Sequence, residues 1–318
     1  MDKKDEEKLQ SFVEKEENPV TFTEKPKIEV PANVVLPWMK SEKQIQMGNE
    51  IGWQSIPMKD LPSMGLFYPE DTKVYIRAAS GGEIRHWSSL NEDPNDPNYL
   101  SNLDDMLNYI IERCVTIKSD TKTNISWKDI KEIDRFYLLL AVREWTFVKG
   151  ENKLTVKVSD TKKIDVRKDM IDYITFDERL MRYYSEAERC FVLNFKNGAQ
   201  LKLEIPSVGV TSWLKNHIQR RQQMQQSFDQ DFLSFAPFVI RDWRVLNDLS
   251  YEKIILDTMS WGIDEISLLT HVRQIFQDTI NPVIKYRDES GAELATPLNF
   301  QGGIKSILLI SDPFGQLV

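Results

Sequence analysis

Apolar side chains recur at helical spacing in two long stretches of the chain. Residues 100–114 and 263–276 carry them three and four positions apart, and Pro282 follows the second stretch where a helix would end. Because side chains at these spacings share one face of a helix, both stretches predict amphipathic helices. Residues 136–142 are almost uniformly apolar, which predicts a central helix, and Ser126 is placed to cap it.

Shorter patterns predict three more helices. Ser80 and Glu83 have the spacing of a capping box, which predicts a short helix that ends near residue 90. Residues 210–227 are helical in character, and Ser250 is placed to cap another helix after them.

Alternating apolar and polar residues predict small antiparallel hairpins. Residues 154–158 alternate in this way, and residues 164–166 are a candidate partner strand. A hairpin is predicted over residues 191–205, because its two alternating runs flank Asn197-Gly198, which suits a type I′ turn. A smaller hairpin is predicted over residues 283–298. The outer face of the 191–205 hairpin is predicted to be solvated and carries Asn194, Lys196, Gln200, Lys202 and Glu204.

These elements predict an α+β protein with a mostly helical core, small antiparallel β-hairpins and an extended N-terminal arm. The arm is residues 1–55; its first 30 residues are about half charged and poor in large apolar side chains, so it is expected to be partly disordered. An α+β domain is predicted over residues 56–209. The remaining residues, 210–318, are predicted to form a helical region with a small hairpin.

Composition and charge narrow the classes of function. The chain is 41% hydrophobic and 28% charged, which is typical of a globular protein. A net charge of −8 disfavours nucleic acid as the main partner, because a phosphate backbone is bound by a surplus of lysine and arginine. A charged N-terminus and short apolar runs predict neither secretion nor a membrane span. Cys114 and Cys190 lie in apolar patterns, which favours two reduced, buried thiols.

The residues that carry common catalytic chemistry are scattered singly. His86, His217 and His271 lie in no recognised motif, and no Cys-x-x-Cys zinc pattern or glycine-rich phosphate loop occurs. We therefore predict no enzymatic activity, no metal and no cofactor. The less favoured alternative is a metal-dependent hydrolase built on three acidic residues around one turn: Asp288, Glu289 and Glu293.

Aromatic residues in loops and one pair of arginines are the candidate partner-binding residues. Aromatic side chains anchor protein interfaces, although each could instead fill the core of its own chain. Arg220 and Arg221 end a predicted helix, where three interpretations are open: a nucleic-acid contact, a partner surface or a solvated helix face. The predicted partner-binding residues are Trp38, Trp53, Leu61, Pro62, Phe67, Tyr68, Arg220 and Arg221.

One segment resembles a known family. Leu61-Pro62-Ser63-x-Gly65-x-x-Tyr68-Pro69, followed by the strand pattern Val74-Tyr75-Ile76-Arg77, is similar to the opening of the T-even phage baseplate hub protein family. The resemblance extends over residues 61–206. It implies a component of a contractile-tail baseplate that binds other tail proteins in an oligomer or hetero-complex, in the virion after assembly in the host cytoplasm. Whether such a protein stays in the baseplate or leaves as an assembly chaperone is left open.

Overall fold

The computed structural model describes residues 52–308 with short gaps: 94, 148–153, 160–161, 167–170, 173–175, 177, 196–197, 199, 228–229, 260, 281–282, 288–290, 298–299 and 301–302. Within these residues it contains eight α-helices and four small antiparallel sheets, so the predicted α+β class is confirmed. The predicted arm lies outside the described residues, apart from its last four positions.

The first sheet has the order β1-β2-β3, with both pairs of strands antiparallel. Its strands are β1 (Trp53–Ile56), β2 (Lys73–Arg77) and β3 (Val115–Lys118). The helices in this part of the chain are α1 (Gly81–Ser88), α2 (Tyr99–Cys114) and α3 (Glu132–Thr146). Helix α1 begins with the predicted capping box, because the Ser80 hydroxyl accepts the Glu83 N–H and the Glu83 carboxylate accepts the Ser80 N–H. Helix α3 contacts β2, and α2 contacts β3.

The predicted hairpins also form. Strands β4 (Leu154–Lys157) and β5 (Lys163–Val166) pair with each other. A second sheet has the order β7-β8-β9, and a third has the order β11-β10-β6. Their strands are β6 (Ile171–Asp172), β7 (Tyr184–Ser185), β8 (Cys190–Asn194), β9 (Gln200–Leu203), β10 (Val283–Arg287) and β11 (Glu293–Pro297), and a short helix, α4 (Glu178–Met181), precedes β7. Asn197 lies outside the described residues, but Gly198 has the positive φ of +85° that a tight turn favours.

The last third of the described chain is mainly helical. Its helices are α5 (Val208–Gln223), α6 (Gln230–Val239), α7 (Asp248–Met259) and α8 (Ile263–Ile280). Short 3₁₀ turns span Met58–Asp60, Trp127–Asp129, Trp243–Val245 and Ile304–Ile307. The predicted boundary at residue 209 stays a prediction; across it, β6 pairs with β10.

Two predicted helix starts are wrong. Ser126 begins only the 3₁₀ turn, and α3 begins at Glu132 because Ile130 and Lys131 are extended. That extension lets Lys131 form a β-bridge with Ser207. Helix α7 begins at Asp248, before Ser250; Asn247 and Ser250 exchange hydrogen bonds there, each side chain accepting the other's backbone N–H.

Three apolar clusters form the core. The first lies among the first sheet, α2 and α3, and it includes Val74, Ile76, Ile110, Leu139 and Ile307. The second is rich in aromatic side chains; it includes Phe67, Phe176, Phe191, Phe238 and Phe276. The third joins α5, α6 and α7 through Val210, Leu214, Phe232 and Tyr251.

Among the described residues, no helix is both long enough and apolar enough to cross a bilayer.

Candidate functional site

The Leu61–Pro69 loop places three of its large side chains inside the fold, whereas Met64 is exposed. Leu61, Phe67 and Tyr68 are each at most 6% exposed. Phe67 packs edge-on against Phe176 at 5.8 Å between ring centroids, in the second apolar cluster. Gly65, with φ +77°, turns the loop. These three predicted partner-binding residues therefore fill the core of their own chain, which is the alternative interpretation of loop aromatics.

The other predicted partner-binding residues do not form one surface in the described structure. Pro62 is half-buried beside the loop. Trp53 is half-buried in β1, where the Arg77 guanidinium lies 5.9 Å from its ring. Trp38 lies outside the described residues. Arg220 and Arg221 lie near the end of α5, far along the chain from the loop.

A buried polar network ties the loop to α3. The Tyr68 hydroxyl donates to Asp134 Oδ2 at 2.7 Å and accepts the Lys131 backbone N–H at 2.8 Å. The Ser63 backbone N–H donates to Asp134 Oδ1 at 2.8 Å. Burial raises the pKa of the Asp134 carboxyl to about 6 and the pKa of Tyr68 well above its usual value. Since Asp134 is fully buried and both of its oxygens are occupied, it serves to hold the loop.

A cleft of about 270 Å³ opens beside this network. Its walls come from the loop, from the segments before α3 and α5, and from residues near β8, β9 and α6. Four cationic and three carboxylate side chains line it, so it has an excess of one positive charge. The lining residues are Phe67, Tyr68, Pro69, Lys122, Ile125, Asp129, Lys131, Ala187, Glu188, Arg189, Glu204, Ser207 and Arg241.

Each carboxylate in the cleft is paired with more than one cation. Glu204 lies 3.1 Å from Lys131 Nζ and 3.7 Å from Arg241 Nε. Asp129 lies 2.5 Å from Arg244 Nη2 and 3.5 Å from Lys122 Nζ. Because Lys131 and Glu204 are both buried, removing either partner would leave an uncompensated charge inside the protein.

Glu204 corrects the prediction for the outer face of the 191–205 hairpin. Asn194 and Gln200 on that face are exposed, as predicted, whereas Glu204 is buried. The strand alternation assigned Glu204 to the correct face. Lys131 and Arg241 cover its end of the strand, and their positions depend on tertiary packing.

Arg220 and Arg221 line a second cleft, of about 280 Å³, with His217, Asp248 and Glu252. His217 Nδ1 lies 3.1 Å from Asp248 Oδ1, and its ring stacks on Trp213 at 4.9 Å. Burial lowers the pKa of His217, so its imidazole is neutral at pH 7.

Large apolar side chains are exposed between residues 245 and 266. Leu249 and Leu256, seven positions apart, share one face of α7. Ile263 and Ile266 open α8, and Ile263 is 85% exposed. The periodicity of residues 263–276 assigned these two isoleucines to the buried face, so the prediction is wrong at both. In the structure, α8 buries Leu269, Val272 and Phe276 instead.

The alternative hydrolase site is only partly described. Asp288 and Glu289 lie outside the described residues, and Glu293 begins β11. Within the part of the chain that the structure describes, no group of three or more His, Cys, Asp or Glu side chains is placed to hold a metal ion. Cys114 and Cys190 are free and buried, as predicted, and burial raises the pKa of Cys114 to about 12.

Sequence reasoning missed the charged cleft. Its residues come from five separate segments, and Lys131 and Glu204 are 73 positions apart. Asp134 does not line the cleft, but it is a local signal for the buried network beside it, because a carboxylate next to an otherwise apolar helical run indicates a buried partner.

Comparisons with known proteins found no match for this chain among family models, curated proteins or solved structures.

Proposed function

We propose that this protein is a structural or assembly component of the baseplate hub of a contractile phage tail, and that it acts through protein–protein interfaces without catalysis or a cofactor. The observation that carries the proposal is the sequence of residues 61–77, which resembles the opening of the T-even baseplate hub family. Leu61 and Tyr68 of the loop and Val74 and Ile76 of β2 belong to the first apolar cluster, as expected of a segment that specifies a fold. Its partners would then be other tail proteins, and its location the baseplate of the virion.

Exposed apolar side chains support a role in assembly. Leu249 and Ile263 are 80% and 85% exposed, and Val245, Leu256 and Ile266 are exposed nearby in the sequence. Each large apolar side chain that is left exposed costs free energy in water. A partner that covers them would gain that free energy on binding.

The same observation supports a second candidate function. A transient chaperone that guides hub or tail assembly and then leaves also needs an exposed apolar surface. The two functions differ in where the protein ends up: a resident subunit is present in finished particles, and a released factor only in intermediates.

Quantitative mass spectrometry of purified virions and of tail-assembly intermediates tests both functions. Presence in both samples supports a resident subunit, and presence only in intermediates supports a released factor. Absence from both samples would refute the baseplate proposal.

A variant pair tests the role of the exposed apolar residues. Leu249→Gln with Leu256→Gln should reduce co-purification with tail intermediates without lowering the melting temperature, because neither side chain is buried and glutamine is also a good helix former. Glu112→Gln, at an exposed position of α2, is the control outside this face and should leave assembly unchanged. Equal incorporation of both variants would exclude this face of α7 from the interface.

A further inference from the structure

We propose that the charged cleft beside the Leu61–Pro69 loop binds a single carboxylate group of a partner polypeptide. The proposal rests on the proposed function only in taking the ligand to be part of a protein. The cleft is lined by four cations and three carboxylates. It contains a buried hydroxyl that has no hydrogen-bond partner among the described residues, and it lies at the N-terminus of a long helix.

Ser207 is the first part of the argument. It lines the cleft, is 3% exposed, and its Oγ has no hydrogen-bond partner among the described residues. A buried hydroxyl without a partner costs about 1–3 kcal/mol. Ser207 is also the N-cap residue of α5, yet its side chain caps none of the first-turn N–H groups. A hydroxyl that could cap its own helix is therefore left available to a ligand.

The helix itself favours an anion at this place. Helix α5 spans 16 residues and starts directly after Ser207, so the positive end of its dipole lies at the cleft wall. Lys131 and Arg241 both contact Glu204, and Arg241 also lies 3.7 Å from Glu188, so the excess of one positive charge belongs to the cleft lining as a whole. An anionic ligand would complete the charge balance.

Arg189 supplies a third line of evidence. It lines the cleft with a backbone φ of +50°, in the left-handed region that costs a non-glycine residue about 1 kcal/mol. Its ion pair, with Glu70 at 3.5 Å, is to a side chain that is 94% exposed and so contributes little. The fold thus keeps the Arg189 guanidinium at the cleft even though the backbone conformation of this residue is unfavourable.

The charged side chains that line the cleft also favour a carboxylate over a phosphate as the ligand. The three lining carboxylates, Asp129, Glu188 and Glu204, would repel a phosphate dianion more strongly than a monoanionic carboxylate, so we take the ligand group to be a carboxylate. A carboxylate of a partner protein comes either from a C-terminus or from an Asp or Glu side chain, and the probes in the test below distinguish the two sources.

Titration of the full chain with short peptides, followed by amide NMR shifts at residues 207–210, tests the proposal. The probes are N-acetyl-tetraalanine with a free C-terminus, its C-terminal amide, N-acetyl-Ala-Glu-Ala-Ala amide and inorganic phosphate. We expect at least one of the two carboxylate probes to bind and to shift these resonances. We also expect the tetraalanine amide, which has no carboxylate, to cause no shift. Shifts with only one carboxylate probe identify the source as the C-terminus or the side chain.

Two variants and a control complete the test. Ser207→Ala should weaken carboxylate binding about tenfold, as expected for a lost hydrogen bond to a charged group, and should not lower the melting temperature. Arg189→Gly should also weaken binding while raising the melting temperature, since glycine relieves the backbone strain. Ser55→Ala, at an exposed position of β1, should change neither quantity.

Three results would overturn the proposal: no shift with either carboxylate probe at tens of millimolar, tighter binding of phosphate than of carboxylate, or unchanged binding by Ser207→Ala. None of these depends on whether the protein is found in virions, so the proposed function can fail or hold independently.

Discussion

Replacing Tyr68 with phenylalanine tests whether the buried network holds the Leu61–Pro69 loop. The substitution keeps the ring in the core and removes only the hydroxyl. Two groups then lose a partner: the Lys131 backbone N–H and Asp134 Oδ2, at 2.8 and 2.7 Å from that hydroxyl. Both groups lie away from solvent, so water cannot replace the lost bonds.

The expected loss is about 3–5 kcal/mol in the free energy of unfolding at pH 8. A buried N–H without a partner accounts for about 1–3 kcal/mol, and a hydrogen bond to a carboxylate for about 1.5–3 kcal/mol. The Tyr68 hydrogen bond lowers the pKa of Asp134, so its removal raises that pKa further. Protonation of Asp134 then relieves part of the cost, and the loss should be smaller at pH 5 than at pH 8.

Urea unfolding followed by circular dichroism, at both pH values, measures the effect. Tyr75→Phe in β2 is the matched control, because its hydroxyl makes no hydrogen bond to the described residues; we expect a change below about 0.5 kcal/mol. A loss below about 1 kcal/mol for Tyr68→Phe at pH 8 would show that the network does not hold the loop.

Three further predictions follow from single features. Gly209→Ala should destabilise the protein by about 1–3 kcal/mol in urea unfolding, because a Cβ would lie 2.4 Å from the Trp243 ring. Asp134 has a folded-state pKa of about 6, raised from 3.8, so its contribution to stability is fully present below pH 4 and is lost as pH rises through 6. Asp134→Asn should remove this pH dependence, about 3 kcal/mol across the window. Cys114 and Cys190 should react with a thiol reagent only on unfolding, because both are buried.

Each of these three predictions has a control or a result that would contradict it. Gly82→Ala, where the added Cβ would meet only the Ser80 hydroxyl at 3.8 Å, is the control for Gly209→Ala and should be neutral or stabilising. Equal effects of the two alanines would refute the steric argument. An unchanged pH profile in Asp134→Asn would assign the dependence to another group, and a fast thiol reaction in native buffer would contradict the burial of the cysteines.

Several elements of this fold could be predicted from local patterns, because helical and strand periodicities depend on residues only a few positions apart. Helix α6, which contains Pro237, was not among them. The helix at 99–114, the hairpin around Gly198 and the capping box at Ser80 each reflect such short-range rules. The start of α3 could not be predicted in this way. Ser126 has good capping chemistry, but it caps only the 3₁₀ turn Trp127–Asp129. Lys131 is extended and bridges to Ser207, so α3 begins after it.

The sequence by itself determined the α+β fold class, and it marked Leu61–Pro69 as a distinct segment of the chain. Only the tertiary structure decided that Phe67 and Tyr68 face the core, and that Glu204 is buried under Lys131 and Arg241. The physical reason is that periodicity assigns a residue to a face, whereas the element that covers that face arrives from distant parts of the chain. Tyr68 and Asp134 meet across 66 positions, and a local pattern cannot encode that contact.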